Sequence, residues 1–491
     1  MAAAVLVHEE VGAANVTRAR AAQAAWAGVR LALRLRVLRR ARHVLAGMTA
    51  ELVDAISPEL SRSKADTMVA EVLPLLAACR YLEREAARVL RARRLGRRGL
   101  PLWLAGVSST VERVPYGVVL VIAPANYPLF LAGVQALQGL AAGNAVVWKP
   151  GLGGGAVAEV FRLAMERAGL PDGLLTVTAE TLEAAVAEMR ARPDKIFFTG
   201  SAAGARAVQR MAAEMSVPIV AELSGCDAVV VLPSADADRV VDALVFGMRL
   251  NGSATCMAPR RLLLVGGGHE RLVERLLARF AAMEGVLVQE PARQLLRELM
   301  EEAASDGATI AGDVRDVLLR PVLVLNGRPE MRVAQSDVFA PVLTVIAVAD
   351  VGAAVAAHQV CPLRLTAAVF GREQEARRVG DRLGVGTVLV NDLIVPTADP
   401  RVPFGGRGAS GFGVTRGAEG LLEMTAVKTT CVRRGRSRRH YEATGATHEG
   451  LFAGVIAMGH GAGLADRMRG LRQLVKAGKE LGSKEKRGEK A

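Results

Sequence analysis

From Pro115 onward the chain alternates short apolar runs with helical patterns, and this alternation constrains its fold more than any other feature. The runs GVVLVIAP, NAVVWKP, KIFFTGS, VPIVAELSG and AVVVL have strand length and few polar residues. Between them, LFLAGVQALQGLAAG (closed by Gly143), GAVAEVFRLAMERAGL and ARAVQRMAAEM carry apolar residues at helical spacing. Apolar strands alternating with amphipathic helices imply a parallel sheet covered on both faces. A second series follows Asn251: RLLLV, a helix from His269 to Met283, PVLVL, PVLTVIAV, helix GREQEARRVGDRL and GTVLVN. A chain of 491 residues exceeds what one core usually holds. The expected fold class is therefore α/β with two α/β domains. Residues 16–98 read as helices, 101–114 as extended chain, and PRVPFGGRGASGFGVTRGAEG as a Gly-rich loop.

Composition narrows the functional classes. The five cysteines are odd in number and show no CxxC pair, and the seven histidines show no HxxxH pairing. This excludes a disulfide framework, predicts no metal site and favours a reducing cytoplasm. The start MAAAVLVHEEVGAANV has an acidic pair where a secretory signal needs a basic region, and Leu451 to Met458 is too short to span a bilayer. A soluble, cytoplasmic protein is expected. The net charge is +14, of which residues 431–491 hold +8, with fourteen Lys/Arg against six Asp/Glu. An aromatic content of 4% argues against base-stacking surfaces, so no nucleic-acid partner is expected. Residues 449–481 have helical spacing with a basic face formed by Arg467, Arg469, Arg472, Lys476 and Lys479. Packing on its own subunit is the favoured reading of this tail, membrane association the lesser one, and the tip GKELGSKEKRGEKA is expected to be disordered.

Three residues stand out chemically. A nucleophilic cysteine needs a polar, accessible setting that supports a thiolate. Cys256 lies in the small, polar run NGSATCM; Cys79 and Cys361 lie in apolar stretches, and Cys226 in a loop is the rival thiol. Glu222 ends an apolar strand beside a glycine turn, where open α/β sheets bind ligands. It is either a general base or a salt-bridged structural group. Asn126, in IAPANYP, could donate to an oxyanion or be an ordinary turn residue.

Taken in order, these segments resemble the aldehyde dehydrogenase superfamily. VPYGVVLVIAPANYPLFL resembles its oxyanion-hole segment and AGNAVVWKP its cofactor-contacting lysine segment. IFFTGSAAG is similar to its diphosphate turn and AELSG to its general-base motif. NGSATC follows Glu222 by 34 positions, SDVFAPVL resembles its acidic-x-Phe element, and VNDLIVPTADPRVPFGGRGASGFGVTRGAEGLLEMTAVK its closing segment. The resemblance covers roughly residues 115–256 and 336–428. It implies catalytic Cys256, Glu222 and Asn126, and cofactor contacts from Lys149, Gly200, Ser201, Asp337 and Phe339 to NAD or NADP. It also implies a Rossmann-like cofactor domain (1–98 and 117–224), a catalytic domain (225–416), an oligomerisation arm (99–116 and 417–440) and a basic extension (441–491).

The implied reaction oxidises an aldehyde to a carboxylic acid through a Cys256 thioester that Glu222 helps hydrolyse. The implied assembly is a homodimer or homotetramer. Uncharged Leu131, Val134, Thr255 and Met257 near the two motifs favour an apolar aldehyde. This sequence departs from the pattern at Ser224, Asp337, Ala340, Gly204 with Ala205, and Leu152, which stands where a ribose-gripping Glu is frequent. A CoA-acylating reductase of the same fold is an alternative that Glu222 disfavours. A catalytically silent scaffold is another, disfavoured by the retained Asn126, Glu222 and Cys256.

Overall fold

The computed structural model describes residues 2–434, 441 and 443–488. Two compact units are formed, Met1–Arg93 with Thr110–Thr429, and Arg94–Ser109 with Thr430–Ala491.

The first unit holds two sheets. In one, β1 (Val118–Ile122), β2 (Ala145–Lys149), β3 (Leu175–Val177), β4 (Lys195–Thr199) and β5 (Ile219–Glu222) run parallel. The other contains β6 (Asp227–Val231), β7 (Pro259–Val265), β8 (Thr309–Ala311), β9 (Val322–Leu325), β10 (Val342–Val348), β11 (Thr366–Phe370) and β12 (Thr387–Val390), in the order β8-β9-β10-β7-β6-β11-β12. A short strand, β13 (Gly411–Phe412), returns to the first sheet and pairs antiparallel with β5, giving the order β13-β5-β4-β1-β2-β3.

Every residue of β1, β2 and β4 is buried, as continuous apolar runs require when helices cover both faces. The covering helices include α1 (Ala2–Gly28), α2 (Leu31–Gly47), α3 (Leu73–Val89), α4 (Phe130–Ala142) and α5 (Gly155–Arg167). They bring Trp26, Leu38, Leu75, Leu137 and Phe161 into the same core. Gly143 ends α4 at φ 102°, a conformation glycine adopts without a Cβ penalty.

The chain winds from β1 to β2 and β3 on one side, then crosses to β4 and β5 on the other. This reversal makes a crevice at the carboxyl ends of β1 and β4, where ligands bind in open parallel sheets. Ile122 pairs with Lys149, and Thr199 pairs with Glu222, so these four strand ends share one edge.

Several expectations need adjustment. The N-terminal helical region begins at Ala2, well before residue 16, and helices Leu182–Arg190 and Glu290–Ser305 lie where the periodic reading marked none. Within 101–114 the chain makes a 3-10 turn at Leu102–Leu104 before extending at Val107–Pro115.

The second unit carries strand pairing around Ser108 and Ser109, whose hydroxyls meet the Val432 carbonyl (3.4 Å) and the Cys431 Sγ (3.2 Å). These belong to a three-stranded sheet in the order Arg93–Leu95, Val107–Pro115, Thr425–Arg433. Its C-terminal part is two helices, Glu449–His460 and Leu464–Gly488, broken at Gly461. The helix runs through most of the tip expected to be disordered. Among the described residues, no helix is long and apolar enough to cross a membrane.

Candidate active site

The edge where β1, β2, β4 and β5 end opens into a cleft of about 1430 Å3 in the first unit. Asn126, Gly200, Ser201, Glu222, Cys256, Asp337 and Phe339 all line it. The fold therefore gathers residues that are 213 positions apart at the extremes, Asn126 and Phe339. Lys149 ends β2 beside them, buried, with its ammonium made less basic by desolvation against the pull of Glu180. Of the four residues expected to shape the aldehyde tunnel, Leu131 lines the cleft, whereas Val134 and Thr255 are buried in the surrounding structure.

Cys256 sits in the loop before β7. Asn251, Gly252 and Ser253 all adopt left-handed backbone, with φ of 52°, 57° and 64°. Two of these are not glycine, so the turn stores strain that surrounding bonds must hold. Arg260 supplies part of the clamp: it is buried, and its Nη1 and Nη2 donate to Ser253 Oγ (2.8 Å) and Ser253 O (2.7 Å). Asn251 Nδ2 donates to Asn126 O (3.1 Å) and Ala254 O (2.9 Å). The Asn126 amide in turn donates from Nδ2 to Ala254 O (3.0 Å). Asn126 and the cysteine loop are thereby strapped together. Tyr127 and Thr255 add a hydroxyl pair at 2.8 Å.

The AELSG turn closes on the same loop. A Cβ at Gly225 would come within 2.3 Å of the Cys256 carbonyl oxygen, an approach only glycine permits. Cys226, the rival thiol, is fully buried with Sγ donating to Ala334 O (3.4 Å); Cys256 is half-buried and faces the cleft. Burial, with the carboxylates of Glu222, Asp337 and Asp227, pushes the Cys256 thiol well above its ordinary pKa, while Arg416 pulls it down.

Glu222 is buried. Its Oε2 accepts from Thr415 Oγ1 (3.3 Å), and its Oε1 has no hydrogen-bond partner among the described residues. Burial raises its pKa, opposed by Arg416 and Thr415. A buried polar oxygen without a partner is costly unless something else satisfies it. Glu222 borders the cleft, but its Oε1 is buried, so it meets water or substrate only when one reaches into this wall.

Asp337 is pushed up to about 7 by burial, against the pull of Arg260, whose Nε lies 3.6 Å from its Oδ1. Its shorter side chain is thus held in the wall by a buried cation, while Phe339 remains exposed. Gly200 and Ser201 begin helix Ala202–Glu214, and Ser201 Oγ caps it by accepting from Gly204 N–H (3.2 Å). The start of a helix is where an anion is favoured. Lys149 ends β2, separated from β4 by β1, and is not among the side chains that line the cleft. Glu180, the carboxylate nearest in effect to Lys149, accepts from Gly153 N–H (2.7 Å) and Gly155 N–H (2.5 Å). Among the described residues no cluster of His, Cys, Asp or Glu could hold a metal.

Two cations escaped the sequence reading. Arg416 is buried at φ 62°, with Nη1 donating to Thr397 O (2.7 Å) and its guanidinium 4.3 Å from the Phe404 ring centre. Its signal was its place in the Gly-rich closing segment. Arg62 Nη2 donates to Glu71 Oε1 (2.8 Å) and Asn126 O (3.1 Å), and Glu71 Oε2 accepts from Leu129 N–H (3.2 Å) and Phe130 N–H (2.7 Å). Nothing in the local sequence links residue 62 to residue 126.

Comparison with known proteins agrees with this geometry. The aldehyde dehydrogenase family model matches residues 4–430. A 4,4'-diapolycopene aldehyde oxidase from Methylomonas sp is 29% identical over 423 residues, covering 84% of this chain and 79% of that protein. A benzaldehyde dehydrogenase [NAD(+)] from Pseudomonas putida is 32% identical over 345 residues, covering 66% of this chain and 69% of that protein. The Mycobacterium tuberculosis aldehyde dehydrogenase complexed with NAD+ superposes with a TM-score of 0.79 at 25% identity, covering 86% and 90% of the two chains. A family match over nearly the whole length, on a fold that brings those motifs into one cleft, makes this chain a member of the aldehyde dehydrogenase family, an oxidoreductase that works with NAD or NADP.

Proposed function

We propose that the chain oxidises an apolar aldehyde to the carboxylic acid, with Cys256 as nucleophile, Asn126 as oxyanion donor and Glu222 as hydrolytic base. The observation that carries this reading is the convergence of all three on one cleft, with Glu222 Oε1 unpartnered. Cys256 Sγ attacks the carbonyl carbon after losing its proton. Because burial disfavours the thiolate, Arg416 has the task of offsetting part of that cost. An amide carries two N–H bonds. Ala254 O engages one from Asn126, and the second serves the oxyanion together with the Cys256 backbone N–H. Bound NAD(P) supplies the hydride acceptor. Lys149, Gly200, Ser201, Asp337 and Phe339 would hold it, Gly200 and Ser201 at the diphosphate and Lys149 at ribose. The acyl group left on Cys256 Sγ is then attacked by water that Glu222 deprotonates, which restores the thiol and releases the acid.

The substrate class follows from apolar lining side chains such as Leu131, Phe246, Phe339 and Val395. Arg62, though it lines the cleft, is neutralised by Glu71. Relatives named for benzaldehyde and diapolycopene aldehyde are in keeping with this, whereas a relative of equal identity is named for succinate semialdehyde, so the reading rests on the lining. Leu152 is exposed where a carboxylate would reject a 2′-phosphate, so NAD and NADP are both used. The test is reduced-cofactor formation across benzaldehyde, long-chain aldehydes and succinic semialdehyde with each cofactor. Highest kcat/KM on succinic semialdehyde would overturn the substrate class. A preference for NAD above about a hundredfold, roughly 2.7 kcal/mol, would overturn the cofactor reading. We assign residues 1–98 with 117–224 to cofactor binding and 225–416 to catalysis. To the segments 99–116 and 417–440 we assign the joining of subunits into a homodimer or homotetramer, which light scattering would test.

A further inference from the structure

We infer that the C-terminal helical hairpin, Glu449–His460 and Leu464–Gly488, is a docking surface for the face of an anionic lipid bilayer. The inference is independent of which aldehyde is oxidised. A helix pair in water normally turns its large apolar side chains inward and leaves small or polar ones outside. In this hairpin only Gly454, Gly470 and Ala477 are buried within 449–480, with Leu451, Val455, Met458 and Leu474 half-buried. The helices approach closest at the two glycines. A Cβ on Gly454 would lie 2.7 Å from Leu474 N and 2.9 Å from Gly470 O, and one on Gly470 would lie 2.4 Å from Met458 N. Such close backbone approach suits helices packed in an apolar medium.

Six further large side chains are left outside. Phe452, Ile456, Leu464, Met468, Leu471 and Val475 are 41% to 79% exposed. On the second helix, 464, 468, 471 and 475 recur at i, i+4, i+7 and i+11, a single stripe along the axis. Arg472, Lys476 and Lys479 run alongside it on one flank and Arg467 on the other. An apolar stripe edged by long cations, whose stems can lie on the acyl boundary while their charges stay at the headgroups, is the composition of an interfacial helix. The complement in charge is an anionic surface, consistent with the +8 carried by residues 431–491. The first helix has twelve residues, about 18 Å at ~1.5 Å each, too short to cross the ~30 Å hydrocarbon layer. The hairpin therefore lies on the membrane and does not span it. The sequence reading preferred packing of this segment on its own subunit; the stripe with its flanking cations is the reason to commit here to lipid.

The test is flotation of the full-length protein with phosphatidylglycerol–phosphatidylcholine vesicles and with pure phosphatidylcholine vesicles. The wild type should float with the anionic vesicles and lose most of that binding on pure phosphatidylcholine or at raised salt. The triple variant Met468→Gln, Leu471→Gln, Val475→Gln keeps the net charge. It should bind anionic vesicles about tenfold more weakly, equivalent to ~1.4 kcal/mol, while its circular dichroism and its turnover of a soluble aldehyde stay at wild-type levels. Two results would overturn the inference. One is a wild type that fails to float; if it is then an oligomer that the triple variant dissociates, a second copy of the chain is the occupant. The other is a triple variant that floats like the wild type, which would reduce the effect to bulk charge.

Discussion

Replacing Arg62 with Met should expose how Asn126, the proposed oxyanion donor, is held. The Arg62–Glu71 pair has side chains only 3% and 0% exposed, and the guanidinium also lies 5.4 Å from the Tyr127 ring centre. Removing one partner of a buried ion pair typically costs about 3–5 kcal/mol, because the remaining charge is left uncompensated. Here the loss includes one hydrogen bond to Asn126 O, worth ~1 kcal/mol and partly backed up by Asn251. Glu71 keeps its two backbone donors, Leu129 and Phe130, so the lower half of the range is expected. The loss should depend on pH. Burial already raises the Glu71 pKa, and losing Arg62 raises it further. A carboxylate whose folded pKa lies above its unfolded value destabilises the fold as pH rises through that window. Thermal denaturation of Arg62→Met and wild type at a fixed scan rate, at pH 5 and pH 8, should show a larger deficit at pH 8. Rapid-mixing kinetics should show a slower burst of reduced cofactor, since Asn126 loses a strap. A deficit below ~1 kcal/mol, or one equally large at both pH values, would refute the reasoning.

Other outcomes follow from the same geometry. Asn126→Ala removes the proposed oxyanion donor and should slow the pre-steady-state burst about 10²–10³-fold, measured by stopped-flow absorbance; an unchanged burst would return Asn126 to a purely structural role. Asp337, pushed up to about 7 by burial, takes up a proton on folding as pH falls from 7 toward 4. Wild-type stability should therefore lose a component as pH rises from about 4 to about 7, and Asp337→Asn should flatten that part of the thermal profile.

The strands were legible because burial on both faces leaves continuous apolar runs such as VVLVI at 118–122, which have few alternative placements. Gly143 was legible as a helix end for its backbone freedom. Helix Glu290–Ser305 was equally readable, with proline at its start and buried Leu296, Leu299, Met300 and Ala303 at helical spacing, yet the stretch between the helix ending at Met283 and the strand PVLVL was left unassigned. The motif order brought Asn126, Glu222 and Cys256 into view together. What stayed hidden was long-range pairing. Arg62 reaches Asn126 across 64 positions, and Arg416 acts on Glu222 through space, so neither leaves a local pattern. In the tail, a single helix from 449 to 481 was expected from spacing alone, and the GHGAG run that breaks it at Gly461 was not weighed.

The division of labour between Cys256 and Glu222 is most directly tested by the Glu222→Gln variant mixed with an aldehyde and cofactor, followed by intact and peptide mass spectrometry. The side chain keeps its shape and loses the ability to accept the proton from water. The account predicts a burst of reduced cofactor of up to about one equivalent per active subunit, slow turnover thereafter, and the acyl mass on the peptide carrying Cys256 and not on that carrying Cys226. Wild-type turnover by this variant, or an acyl group on Cys226, would contradict it.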